Sequence, residues 1–392
     1  MKRLRFLGVE LERLREPVLF GGVYLFLALI NLRVKLSFTP AWFDGTLERN
    51  HYLLLAFQYT NNEQSRLLQF YTPEAFRGLL DLTVPEAYIA QWWLFIFLTL
   101  LCFHFYLRKW FDSKLAFAGV LFLAAIMPLS YRNHLQQSAP FLLLTFLLAL
   151  WAIRDHHIVW YTVVLAVGAL NNETMLVLAA VFFFYNFERL DGRHLIALCA
   201  KTLVTTLPAF LLVAMVRYLT RDRPHLGGAW HWPDNVQGIW NALSTMSPFD
   251  YWQAFYLFIV LIFGVFWFYA LLRYAKKPLF LQRAALMIPL FILAHLLTGI
   301  ISEVRQMLPL GFIIIPMALY YLFPVGEQDR ESAKVLQIAD GDQDLPTVEA
   351  RRTSGPGFLP VLAVGVIAAM VLIVGARTLF PYSERRLSSE PL

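Results

Sequence analysis

The sequence predicts an all-α polytopic integral membrane protein of about eleven transmembrane helices. Three observations carry that prediction: the scarcity of charge, the recurrence of apolar runs, and the placement of lysine between them. Charged residues are 15% of the 392 and hydrophobic ones 58%, against roughly 25% and 45–50% in an ordinary soluble domain. With a mean hydropathy of +0.56, such a surface is matched to lipid. The formal charge of +6 fits lysines and arginines in cytoplasmic loops; it is not read as a nucleic-acid signal. Cys102 and Cys199 lie far apart inside apolar runs, so they read as buried thiols with no disulfide framework or metal-ligand spacing.

In chain order, residues 1–16 are basic and carry Leu4, Phe6, Leu7, Val9, Leu11 and Leu14, the pattern of a short amphipathic helix lying on the cytoplasmic membrane surface. A span needs roughly 20 apolar residues, with about 17–25 tolerated. The runs are 17–35, 88–107, 115–131, 139–153, 158–170, 175–187, 195–217, 251–272, 284–301, 306–324 and 358–377. No small-residue cleavage site follows the first, so it is expected to be a retained span. Runs 158–170 and 175–187 are short, and read either as a pair dipping partly across or as spans with their ends buried in protein. Residues 17–324 form the transmembrane core. Residues 325–357 are polar and read as a flexible cytoplasmic linker, before a last helix and short tail over 358–392.

Lysine sets the orientation. Lys2, Lys109, Lys114, Lys276, Lys277 and Lys334 fall on one side if the N-terminus is cytoplasmic, and only Lys35 falls opposite. That puts two long loops, 36–87 and 218–250, outside the cytoplasm, the chain being a multi-pass protein of the inner (plasma) membrane. The first loop mixes apolar and polar residues at helical spacing over Leu47–Tyr59 and Glu63–Leu82, predicting two interfacial helices. The second is rich in Trp, His, Pro and Gly.

Ionisable groups at membrane depth are costly and call for a reason. Asp44, in Trp42-Phe43-Asp44-Gly45, has the chemistry of a general base toward an acceptor hydroxyl; the plain alternative is a cap for the helix starting near Thr46. Glu173 sits in a polar turn between the two short runs, where it binds a cation, orients a basic residue or reaches a phosphate through one, or else merely connects two helices capped by Asn171 or Asn172. Arg305, with Glu303 to hold it, is a phosphate ligand by its paired planar donors; an exposed loop ion pair is the alternative. Secondary candidates are Arg132 and His134 before the fourth run, and Arg221, Arg223, Trp230 and His231 in the second loop. Arginines there suit a phosphate and Trp faces a sugar ring, with interfacial anchoring the common use of Trp.

Several of these stretches resemble the C-type glycosyltransferases, bacterial membrane enzymes that use polyprenyl-phosphate-linked sugars. The carriers are Phe43-Asp44-Gly45 with His51-Tyr52-Leu53, the two expected loop helices, Gly168-Ala169-Leu170-Asn171-Asn172-Glu173-Thr174, and Glu303-Val304-Arg305 leading into Leu308-Pro309-Leu310. The resemblance implies inverting transfer of a sugar from the lipid-linked donor to a glycan, lipid or protein acceptor outside the cytoplasm. It makes Asp44 the base and has Arg305, with Arg221 or Arg223, hold the lipid phosphate. A divalent cation is the one cofactor it leaves open; membrane lipids are the other partners. Where many of those enzymes carry an acidic residue before the fourth span, this chain has Arg132-Asn133-His134. The competing class is non-enzymatic, a transporter or envelope-assembly scaffold. A transporter is expected to gather its charges near the midplane, whereas here they collect at span ends.

Overall fold

The structure, a computed structural model, describes residues 5–6, 9–59, 62–130, 137–189, 191–222, 230–245, 262–301 and 303–323. These residues are helical apart from turns and one two-residue antiparallel pairing, Arg5–Phe6 with Val9–Glu10. Within 1–16, residues 1–4 and 7–8 lie outside the described residues, and the first helix starts at Leu11, continuous with the apolar run. Linker 325–357 and last run 358–377 lie outside the described residues.

The long helices alternate in direction between two ends of one bundle. Helix α1 (Leu11–Ser37) lies antiparallel to α4 (Val84–Leu107): Glu16 accepts from Arg108 Nε at 2.8 Å at one end, and Lys35 Nζ lies 4.7 Å from the Trp92 ring centre at the other. Helix α4 begins sharply because Thr83 and Glu86 form a capping box. Between α1 and α4, the first long loop holds α2 (Thr46–Leu55) and α3 (Leu67–Leu80), close to the two helices expected there. Leu47, His51 and Leu54 form the buried stripe of α2 at spacings of four and three.

Helix α5 (Ser113–Ile126) is started by the Asp112 side chain, and α6 (Ala139–Arg154) returns to bring Asp155 within 2.9 Å of Lys109 Nζ. Helices α7 (Ile158–Asn171) and α8 (Leu178–Asn186) connect the same two ends as α6. Tyr161 stacks on Phe182, and Tyr185 stacks on His156 beside the start of α7. Helix α9 (Gly192–Leu219) carries Arg217 back to the Glu173 turn. Helix α10 (Trp232–Thr245) caps that end, stitched there by buried Asn235, whose Nδ2 donates to Leu296 O and Gly299 O.

Of the run 251–272, residues 262–272 are described and include α11 (Phe266–Leu271). Helices α12 (Leu279–Ala285) and α13 (Met287–Thr298) together make one 20-residue apolar segment, and α14 (Gly311–Leu322) follows a 3₁₀ stretch from Val304 to Leu310. Five described segments are long and apolar enough to cross a membrane: Val18–Ser37, Val84–Leu107, Gly192–Leu219, Leu279–Thr298 and Arg305–Leu322. The second and fifth are largely buried inside the bundle, whereas Gly192–Leu219 is mostly exposed. An apolar helix with exposed Leu203, Val204, Phe210 and Leu211 is built for lipid.

Candidate functional site

The end of the bundle that receives the C-termini of α1, α7, α9 and α13 also receives the first long loop. Two arginine–glutamate pairs and a polar pocket meet there.

The Gly168–Thr174 turn makes the first pair. Gly168 is required by close approach, since a Cβ there would fall 2.7 Å from Met175 Cε and 2.9 Å from Thr145 Oγ1. Asn171 Nδ2 donates to Ser138 O at 2.9 Å, and Asn172 Oδ1 accepts from Thr174 N at 3.0 Å. So held, Glu173 accepts from Arg66 Nε and from Arg217 Nη2, each at 3.2 Å. Asn172 thus caps the turn, and the Glu173 carboxylate holds two arginines. Burial pushes the Glu173 carboxyl up, but Arg66, the turn's own backbone and Arg217 pull it further down, to about 2.

The second pair is Glu303–Arg305. Arg305 Nη2 donates to Glu303 Oε2, and Gln306 Nε2 adds a bond to the same oxygen at 2.9 Å. The two side chains are 17% and 7% exposed, so the exposed-loop alternative is set aside. Burial raises the Glu303 carboxyl, and Arg305, Gln306 and Arg66 more than reverse this. Among the described residues, Arg305 Nε is buried with no hydrogen-bond partner. A buried guanidinium with an open donor is costly unless something accepts from it.

Arg66 joins the pairs, because Glu173, Glu63 and Glu303 all act on it electrostatically. Lys35 lies on the Arg305 side, fully buried, with Nζ 4.7 Å from the Trp92 ring centre and 5.9 Å from that of Trp42. His295 Nδ1 donates to Phe291 O at 2.8 Å, which leaves Nε2 to accept from Thr174 Oγ1 at 3.4 Å.

Beside this cluster the first loop walls a pocket. Asn50, His51, Tyr59, Glu63, Gln69, Tyr88 and Gln137 line it, together with Thr46 and the apolar surface of Ala41, Trp42, Leu47 and Leu54. Asp44 is exposed, and its Oδ1 accepts from Thr46 N at 2.9 Å. That bond and a second from the Thr46 hydroxyl lower its pKa. Gly45 is the N-cap of α2, so Asp44 is not the cap expected; it closes the turn just before it, two residues from pocket-lining Trp42 and two from Thr46.

The structure thus brings Glu173, Glu303 and Arg305 together. It places Arg221 outside the group, exposed, against Asp222 at 3.5 Å and over the Tyr218 ring. Trp230 is exposed, and His231 N donates to Leu297 O at the head of α10. Arg132, His134 and Arg223 lie outside the described residues. Among the described residues, no group of three or more His, Cys, Asp or Glu side chains is arranged to hold a metal ion.

The sequence does not mark Arg66 or Glu74; His51 enters it only in the stretch His51-Tyr52-Leu53, and Lys35 only as an orientation signal. A signal existed for His51: it shares the apolar stripe of α2 with Leu47 and Leu54, where an imidazole needs partners. Comparison with family models, with curated proteins and with solved structures found no match.

Proposed function

We propose that this chain is a membrane glycosyltransferase that moves a sugar from a polyprenyl-phosphate carrier to an acceptor outside the cytoplasm. In this reading the N-terminus and the Glu16–Arg108 end face the cytoplasm, and the protein sits in the inner (plasma) membrane. The observation that carries the reading is the convergence of Arg66, Arg305 and Lys35 beside a polar pocket at one end of an apolar bundle. A lipid phosphate presents several acceptor oxygens, and guanidinium groups bind such oxygens through paired, charge-assisted bonds. Glu173 and Glu303 hold the arginines in fixed geometry before a donor arrives, which lowers the ordering cost of binding. Phosphate bound here is the leaving group, and neighbouring cations stabilise the charge it gains as the sugar–oxygen bond breaks.

The acceptor enters from the first-loop side, where Asp44 is the base implied by the resemblance. Turnover of labelled polyprenyl-phosphate sugars tests the reading, with wild type compared to Arg305→Ala and Asp44→Asn. Release of carrier phosphate by wild type and its loss in Arg305→Ala support it. Absence of release with pentose and hexose donors returns the non-enzymatic readings, transporter or scaffold, to the front.

A further inference from the structure

Two pocket-lining groups, His51 and Tyr88, form a chain with Glu74 outside the pocket lining, and the cluster described above does not use it. His51 is fully buried on α2. Its Nε2 lies 2.9 Å from Glu74 Oε2 on α3, and its Nδ1 lies 3.2 Å from the Tyr88 hydroxyl on α4. Glu74 is itself held by Arg77 Nη1 at 2.8 Å. The partners fix the proton positions. An ionised carboxylate only accepts, so Nε2 carries the hydrogen and donates to Glu74. Nδ1 is then the accepting nitrogen, and the Tyr88 O–H donates to it. His51 and Tyr88 both line the pocket, with Asn50, Glu63, Gln69 and Gln137 around them. Gln69 adds an open group, since among the described residues its buried Oε1 has no hydrogen-bond partner.

We propose that Glu74, His51 and Tyr88, in place of Asp44, form a proton relay that takes the acceptor's hydroxyl proton, giving the first-loop side a proton acceptor inside the pocket. The inference rests on the transferase reading. The acceptor oxygen forms its bond to the anomeric carbon while the bond from that carbon to the phosphate oxygen breaks, and the lipid phosphate leaves with the electron pair. The acceptor's proton passes to the Tyr88 oxygen as the Tyr88 proton passes to His51 Nδ1. The resulting imidazolium is stabilised by the partly exposed Glu74 carboxylate, which orients and supports the histidine base. Tyr88 touches the acceptor; Glu74 is a positioning residue.

Charge around the relay favours a neutral, accepting ring. Burial lowers the pKa of His51 and Arg77 adds to the lowering, while Glu74 and Glu48 oppose them without restoring the ordinary value. Glu74 remains ionised: burial raises its pKa, and His51 and Arg77 bring it below the usual range. Glu63 shares the pocket wall, and Tyr52 packs edge-on to the imidazole. Asp44, by contrast, is exposed, its basicity lowered by its bonds to Thr46.

The test uses the purified full chain in detergent, polyprenyl-phosphate pentose and hexose donors, and octyl glucoside as the hydroxyl acceptor. His51→Gln and Tyr88→Phe are compared with wild type and Asp44→Asn for transfer rate against pH, with melting temperature as the check on folding. The relay predicts at least about a 100-fold loss of transfer in His51→Gln and Tyr88→Phe, the lower range for a general base, with donor binding retained. It also predicts that the wild-type fall in rate at low pH, where His51 becomes protonated, disappears in His51→Gln. Tyr88→Phe keeps the ring in place, so a folded Tyr88→Phe protein with wild-type transfer and pH profile would overturn the relay. Loss in Asp44→Asn alone would also overturn it. Wild-type protein that turns over no donor would instead contradict the transferase reading itself, and the relay with it.

Discussion

Arg66, at the start of α3, donates its Nε to the Glu173 carboxylate at 3.2 Å across 107 residues of chain. This contact ties the first long loop to the turn between α7 and α8. Glu173 has a second partner in Arg217, whose side chain is 57% exposed, whereas that of Arg66 is 17% exposed. Arg66 is therefore the stronger member. Arg66→Ala is expected to cost about 1–3 kcal/mol, the range for leaving a buried polar group unsatisfied. Glu173→Gln should cost a similar amount. Because the two residues share one interaction, the double variant should cost clearly less than the sum. Thermal unfolding in detergent measures all three.

The same pair sets an acid dependence. The folded-state pKa of Glu173 is about 2, below its ordinary value of 4.5. A carboxylate so depressed contributes stability that is fully present above about pH 4.5 and is lost as pH falls toward 2. Glu173→Gln has no such group to protonate, so its melting temperature should fall less than that of wild type over this window. Parallel curves for the two proteins would contradict the assignment.

Glu303 and Gln306 leave Arg305 with its Nε open. If that donor meets a lipid phosphate, Arg305→Ala should weaken donor binding by roughly 10- to 100-fold, as expected from losing a charge-assisted hydrogen bond of about 1.5–3 kcal/mol. Arg305→Lys should recover only part of it, because an ammonium cannot reproduce the planar fork. Binding of a fluorescent polyprenyl phosphate, without the sugar, reads this directly.

Much of this site was legible where chemistry and helix ends coincide. Glu173 and Glu303-Val304-Arg305 stood out because charges between apolar runs need a reason, and the structure joins both through Arg66. The loop helices were legible from the spacing of Leu47, Leu53, Leu54 and Phe57. Arg66 was not, because an arginine in a polar stretch has no local pattern, and its partner lies 107 residues away. Lys35 was read as a loop charge; it is buried against Trp42 and Trp92, a fit that only tertiary packing reveals. Amphipathic spacing over 1–16 does not say where a helix begins; among the described residues the first begins at Leu11.

Asp44 separates turn formation from catalysis. Asn keeps a side-chain oxygen to accept from Thr46 N, so Asp44→Asn should change stability by no more than a few tenths of a kcal/mol, as measured by thermal unfolding. A transfer loss with unchanged melting temperature would mark Asp44 as part of the chemistry; the pocket geometry predicts a smaller loss than in His51→Gln.

The most direct test of the central claim is release of carrier phosphate from labelled polyprenyl-phosphate sugars by the purified protein, wild type beside Arg305→Ala. The account predicts release by wild type and at least about a tenfold loss in the folded variant. No release from pentose or hexose donors, or equal release by both proteins, would contradict it.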